Sequence, residues 1–329
     1  MDYTVVSVIA TGGKNTRYLI QNSEGEYFSV KVPTGRYQIG DLASESYYEP
    51  CMNDKWIKTS KRLSNSYPRK KMMDHLNWYK QEILHDEVSG LYHDIPHPHI
   101  FDSPQKNLIR GYGYDDSVSK IMSSLGEELR SDFTHLTSSQ AFAVNFFTPL
   151  IEEKKLSLLH PCFDFQLPIW SFEEICQKEE QTQFDFFVSD KAGGHTCSVE
   201  VKYSESGFGS TIGDTKHLDK FINDYEKKMD ILAGVPKDEW HFFEYYQVWR
   251  NLLYTIRHPG QHICFLFPRF REDLKQTLEE IFAKCREQYR PFFHIIVADD
   301  VVEEIINSSS PMKPYYEEFK RKYLDIDRA

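Results

Sequence analysis

The stretch TQFDFFVSDKAGGHTCSVEVKYSE, residues 182 to 205, restricts the fold more than any other part of the chain. Two apolar runs flank a turn containing Gly193 and Gly194, so they read as neighbouring strands of a hairpin. Strand alternation sets Cys197, Val199, Val201 and Tyr203 on one face, and Ser198, Glu200 and Lys202 on the other. The turn brings Asp185, on the first strand, alongside them. Charge inside a core is costly, so it comes with a partner or a chemical task. The competing reading is a solvent-facing strand pair with incidental charges.

The surrounding elements decide how costly those charges are. From about residue 120 the pattern is mixed α/β. SVSKIMSSLGEELRSDF and SSQAFAVNFFTPLIEEKKL read as helices, the second starting at a serine cap. KHLDKFINDYEKKMDIL and HFFEYYQVWRNLLYTIRH are also helical in pattern. HICFLFPR, then EDLKQTLEEIFAKCREQY, then FFHIIVAD form a strand–helix–strand unit, which implies a parallel pair in a sheet covered by helices. The expected class is therefore α/β, with a central mixed sheet flanked by helices across residues 120–329. In such a sheet an incidental charge would be expensive.

Two further segments precede it. Residues 1–48 read as a small antiparallel, barrel-like β domain of alternating strands punctuated by TGGKN, SEGE and PTGR, with a faint likeness to OB-like or SH3-like barrels. Residues 49–119 read as a basic, partly helical connector, in which MMDHLNWYKQEILHDEV carries a helical apolar stripe. HDIPHPHIFDSP holds His93, His97 and His99, but its prolines favour a loop over a metal site.

The composition, at 40% hydrophobic and 15% aromatic over 329 residues, is that of a folded globular protein. A net charge of -11 argues against a protein that coats nucleic acid by electrostatics alone. It leaves room for a metal-dependent nuclease with a local basic groove. Lys55, Lys58, Lys61, Arg62, Arg69, Lys70 and Lys71 supply a candidate groove, or else a solvated face of the connector. The six cysteines form no C-x-x-C pair, so neither a zinc site nor a disulfide framework is indicated, and reduced thiols are expected. No signal pattern opens the chain and no run reaches membrane-span length, so a soluble, cytoplasmic protein without membrane contact is expected.

Two carboxylates converging at a strand end make a hard, oxygen-rich site suited to Mg²⁺ or Mn²⁺, and a neighbouring ammonium offsets charge developing on a phosphate. The tripeptide E-x-K alone is uninformative, because it also begins at Glu152, Glu153, Glu226 and Glu318 in segments of helical or polar pattern. Glu200 stands out by context: an apolar strand, an upstream Asp185 and a glycine turn between. No phosphate-binding glycine loop precedes a helix, and no Ser-His-Asp or Cys-His arrangement can be assigned.

Asp185 followed by Glu200-Val201-Lys202 resembles the PD-(D/E)XK nuclease superfamily, the restriction-endonuclease-like fold, in its bacterial putative restriction endonuclease branch. LTSSQAFAVNFFTPL before the motif and YYQVWRNLLY after it are similar to that branch's flanking helices, and the likeness spans roughly residues 120 to 300. Phe184 stands where the superfamily often has proline. The resemblance implies that Asp185 and Glu200 bind a divalent cation, helped by the Val201 carbonyl, and that Lys202 positions or activates the attacking water. It adds an acidic residue from the first core helix, where Glu127 and Glu128 stand and Glu128 is favoured. Gln140 is either a polar site residue or an ordinary helix-start residue. Gln247 and Arg250 reach toward the scissile phosphate, or else form a surface amide and ion pair.

The implied function is a Mg²⁺-dependent endodeoxyribonuclease in restriction or defence, with Lys61, Arg62, Arg69, Lys70, Lys71 and Arg250 contacting DNA. A second copy of the chain or a defence-system protein is the further partner. The alternative is a non-catalytic nucleic-acid-binding or partner-binding protein on the same fold.

Overall fold

A computed structural model describes residues 3–12, 15–22, 27–33, 36–37, 41–43, 49–51, 69–92, 95–177, 182–191, 193–205, 207–209, 211, 217, 220–258 and 260–327. The strands run β1 (Tyr3–Gly12), β2 (Asn15–Asn22), β3 (Tyr27–Pro33), β4 (Leu42–Ala43), β5 (Glu49–Cys51), β6 (Gly90–Tyr92), β7 (Ile95–His97), β8 (Ile169–Gln177), β9 (Thr182–Ser189), β10 (Thr196–Val201), β11 (Gln261–Phe267) and β12 (Phe293–Val297). The α-helices are α1 (Arg69–Trp78), α2 (Asp115–Leu125), α3 (Ser139–Glu152), α4 (Glu226–Leu232), α5 (Tyr246–Arg257), α6 (Glu272–Lys284), α7 (Ala298–Asn307) and α8 (Lys313–Tyr323). The chain divides into two compact units: Met1–Ser66 with Phe208–Ile256 and Lys284–Arg286, and Tyr67–Gly207 with Arg257–Ala283 and Glu287–Ala329. Among the described residues no helix is long and apolar enough to cross a membrane.

In the first unit, β1 to β5 form one antiparallel sheet in the order β4-β1-β2-β3-β5. Val5, Tyr18, Ile20, Val30, Val32 and Tyr37 make its apolar cluster. The barrel-like closure expected from the sequence does not form among the described residues. Among the described residues the end strands β4 and β5 are not bonded to one another, and the sheet stays open. Strands of two and three residues at the two ends offer too little ladder for the tilt and stagger that closure demands.

The second unit holds the central mixed sheet, in the order β12-β11-β10-β9-β8. β8, β9 and β10 pair antiparallel, and β10, β11 and β12 pair parallel. Phe142, Phe146 and Phe147 of α3 pack on Phe186, Val188, Val199, Val201 and Leu266, with Tyr316, Phe319 and Tyr323 of α8 in the same core. Phe147 stacks on Phe186 at 4.0 Å between ring centroids. Each such buried ring contributes about 1.5–3 kcal/mol of transfer free energy. On the other face, Phe282 of α6 packs against Phe265 and Phe293. The stretch expected to be a loop pairs β6 with β7, which places His97 in a strand; His93 lies outside the described residues.

Ser138 caps α3 by accepting from the Ala141 N–H, as the serine signal predicts. Pro149 sits inside this helix and removes the N–H that would reach Asn145. The Asn145 carbonyl instead accepts from the Tyr315 hydroxyl at 3.0 Å, and the Phe146 carbonyl from the Tyr316 hydroxyl at 2.6 Å. The carbonyl left free by the proline thereby supplies one of the two hydroxyl contacts of α8 on α3.

Beside this network Lys322 is buried and donates to the Asn107 carbonyl and side-chain oxygens at 2.6 and 2.9 Å. Burial, partly opposed by Glu318, pushes its pKa down to about 7. Between there and the ordinary lysine value the unfolded chain holds a proton that the folded chain has released, so stability from this group rises with pH. The difference in unfolding free energy between wild type and Lys322→Met should climb by ~1.4 kcal/mol per pH unit above neutrality. Denaturation across pH 6.5 to about 9 checks this; a flat difference would show that Lys322 keeps an ordinary proton affinity.

Candidate active site

Three strands bring three carboxylates into one row. The register pairing Val199 with Phe186, continued one step, sets Glu200 opposite Asp185. The register pairing Phe172 with Phe186 and Glu174 with Phe184 sets Glu173 opposite Asp185 from the other side. Glu173, Asp185 and Glu200 thus lie at one level across β8, β9 and β10, and all three are buried. Glu173 adopts a φ of 54°, in the left-handed region that a glutamate rarely visits, and strain of this kind gathers at functional sites.

Two cations answer the three carboxylates. The Lys202 ammonium lies 2.9 Å from Glu200 Oε1 and is itself buried. Arg130 Nη2 bridges Glu173 Oε2 at 2.8 Å and Asp185 Oδ1 at 3.2 Å. Asp185 Oδ2 accepts from the Val201 N–H at 2.6 Å, so its carboxyl is fixed on both oxygens. Burial, then Glu200 and Glu173, push the Asp185 carboxyl well above the usual carboxylate range, against the pull of Arg130 and Lys202. Burial also raises Glu173, although Arg130 and Gln140 oppose it. For Lys202 burial works downward, but Glu200 first, then Glu205 and Asp185, overcome it and hold the ammonium protonated well above its ordinary value.

Gln140, at the head of α3, is buried and fully engaged. Its amide donates to Glu173 Oε1 at 2.8 Å and the Glu128 carbonyl at 2.9 Å, and accepts from the Arg130 N–H at 3.0 Å. It orients Glu173 and the Arg130 backbone together. Glu128 is exposed, and its carboxylate accepts from Gln183 at 3.0 Å; its backbone carbonyl is what joins it to Gln140. At the far side of Lys202, Glu205 accepts from the Tyr203 N–H at 2.9 Å. Arg271 donates to the Tyr203 carbonyl at 3.1 Å and holds a two-point pair with Asp273, at 3.0 and 2.9 Å.

Asp185, Glu200, Lys202, Val201 and Gln140 are therefore brought into one connected network. Gln247 and Arg250 lie in the other compact unit on α5, where Gln247 accepts from the Gly209 N–H at 3.0 Å and Arg250 stacks over Tyr246. Arg69, Lys70 and Lys71 occupy the exposed first turn of α1, with Lys71 ion-paired to Asp327. Lys61 and Arg62, with Lys55 and Lys58, lie outside the described residues. Three basic groups at a helix N-terminus oppose its dipole, so stability alone does not account for them.

Sequence reading misses Glu173 and Arg130. The signal for Glu173 is Trp170 and Phe172 alternating with Ser171 just before it, cut short by Glu173-Glu174. Arg130 lies within the stretch SVSKIMSSLGEELRSDF that reads as one helix, but α2 ends at Leu125 and the chain turns through Gly126–Glu128, so Arg130 stands beyond the helix.

A family model matches residues 68–324, from the start of α1 to the end of α8. The chain belongs to the family Restriction Endonuclease associating with ARP. The matched span contains the whole carboxylate row, Lys202, Arg130 and Gln140, while β1 to β5 lie before it. No curated protein and no solved structure matches the chain. Membership in this family supports a restriction-endonuclease-like assignment and association with another protein.

Proposed function

We propose that this chain is a metal-dependent endodeoxyribonuclease of the PD-(D/E)XK type, working in the cytoplasm in restriction or defence against foreign DNA. The observation that carries the reading is the row Glu173, Asp185, Glu200 with Lys202 beside it. Three buried carboxylates face two cations, which leaves a net negative, oxygen-only donor set. That set fits a hard divalent ion, so Asp185 and Glu200, with the Val201 carbonyl, would hold Mg²⁺ or Mn²⁺. The bound ion would supply Lewis-acid stabilisation of the phosphate in the transition state.

The chain's own residues do the rest. Lys202, whose ammonium is favoured by its acidic neighbours, acts as a hydrogen-bond donor. It orients a water and offsets charge building on the phosphate. Glu200 fixes the ammonium in place. Gln140 and Arg130 fix Glu173. Arg130 is 41% exposed at its side chain, so it could swing into solvent were a cation to take its place on Asp185. DNA is the substrate, contacted by basic residues including Arg69, Lys70, Lys71 and Arg250. The ARP of the family description and a second copy of the chain are the proposed protein partners.

The Arg130 bridge also gives a second reading some support. Carboxylates already satisfied by arginine suit an accessory protein that binds DNA or a partner without cutting it. Plasmid and single-stranded DNA incubated with and without Mg²⁺ or Mn²⁺, beside Lys202→Ala, separate the two. Cleavage that needs metal and disappears in Lys202→Ala supports the nuclease. DNA binding without cleavage, and without metal uptake in calorimetry, supports the accessory role.

A further inference from the structure

A second cluster lies at the opposite end of the central sheet. β10, β11 and β12 run parallel and begin together there, with Cys197 beside His262 and Cys264 beside His294 in register. Cys197, Cys264 and their neighbours Val199 and Leu266 belong to the core under α3, so this face is the reverse of the one carrying Glu200. Glu200 is also three residues along β10 from Cys197, roughly 10 Å at strand rise. The turn Pro161–Phe163 delivers His160 and Cys162 to the same place.

Donor atoms of His160, Cys162 and His294 all lie within 4.8 Å of one another. The His160 and His294 rings have centroids 4.0 Å apart. His160 turns its Nδ1 lone pair toward the thiol-bearing residue, accepting from the Cys162 N–H at 3.2 Å. His262 Nδ1 faces His294 Nε2 at 2.8 Å, so that one proton is shared by two imidazole nitrogens. The Cys162 carbonyl accepts from His195 Nε2 at 2.8 Å and from the Cys197 thiol at 3.0 Å, which locks the turn from behind. None of Cys162, Cys197 and Cys264 is in a disulfide.

We propose that His160, Cys162 and His294, with His262 as fourth ligand, bind a zinc ion that ties the Pro161–Phe163 turn to β11 and β12. Imidazole and thiolate are the ligand types zinc selects, and four of them without an open position make a structural site. Tetrahedral zinc separates its ligand atoms by roughly 3.3–3.8 Å, from bonds of about 2.0–2.3 Å. The 4.8 Å limit on the three donors therefore leaves at most about 1.5 Å to close, and the His262–His294 contact opens by about half an ångström. Binding releases the Cys162 thiol proton to solvent, while the proton held between the two histidines moves to the far nitrogen of its own ring, so that both imidazoles ligate in the neutral form. The site escapes sequence inspection because its ligands are a short His-x-Cys pair and two distant strand histidines, with no C-x-x-C.

The test uses the full chain, dialysed against chelator and titrated with Co²⁺. Expected are thiolate-to-cobalt charge-transfer and tetrahedral ligand-field absorption saturating at one equivalent, displaced by Zn²⁺ and untouched by excess Mg²⁺. Cys162→Ser should remove the charge-transfer band, and His294→Ala should weaken Co²⁺ binding at least about 100-fold. Asp185→Asn should leave both bands in place, which separates this site from the carboxylate row. Absence of a charge-transfer band in the wild-type titration would overturn the proposal, whether or not the variants fold. So would a band that survives Cys162→Ser, or a disulfide joining Cys162 to Cys197 or Cys264 in freshly purified protein.

Discussion

Replacing Glu200 with alanine should reduce metal-dependent DNA cleavage by about 10³-fold or more while leaving the protein folded. Glu200 is buried, faces Asp185 across the strand pair, and holds the Lys202 ammonium at 2.9 Å. Under the proposed mechanism its loss removes a cation ligand and the anchor of the water-orienting lysine together. The fold should survive because the row carries one more carboxylate than it has cations. After the substitution Glu173 and Asp185 face Arg130 and Lys202 in balance.

A pH signature accompanies it. In wild type, burial and then Glu200 and Glu173 raise the Asp185 carboxyl, so the folded chain holds that proton more tightly than the unfolded chain. Without metal, stability from this group is greatest at acid pH and falls as pH rises from the ordinary aspartate value through the raised one. Glu200→Ala should flatten that fall. Cleavage rates with Mg²⁺ and Mn²⁺, with thermal unfolding at pH 5 to about 8 without metal, read both effects. Full activity in Glu200→Ala would sink the nuclease assignment.

The part of the site that could be read from the chain is the part governed by period-two alternation. Glu200 and Lys202 share a face because strand geometry leaves no choice, and the glycine turn delivers Asp185 to them. The parallel pair β11 and β12 was legible for a similar reason, since a strand–helix–strand unit cannot close otherwise. Glu173 was hidden because apolar alternation fails just after it, at Glu174, and its left-handed backbone is one that no propensity predicts. Arg130 reaches the row from a stretch that reads as helix but leaves it after Leu125, so only the folded arrangement reveals it. The open N-terminal sheet was misjudged because closure depends on the length of its two end strands. The docking of α8 through Tyr315 and Tyr316 depends on carbonyls that Pro149 and tertiary packing expose, which a linear reading does not rank.

The largest loss of stability is expected from Asp273→Ala. Arg271 and Asp273 are both buried and meet through two hydrogen bonds at 3.0 and 2.9 Å. Removing the aspartate alone takes the counter-ion from a buried guanidinium, at a cost of about 3–5 kcal/mol. Denaturant unfolding reads this as a lowered midpoint with unchanged slope. Removing both charges, in Arg271→Met with Asp273→Leu, should recover most of that loss, because the desolvation penalty goes with the pair. Activity should behave differently. Arg271 also donates to the Tyr203 carbonyl at 3.1 Å, one residue beyond Lys202. The double variant loses that donor, so its cleavage should stay depressed although its stability returns. If stability and cleavage recover together, Arg271 serves the core alone and does not position Lys202.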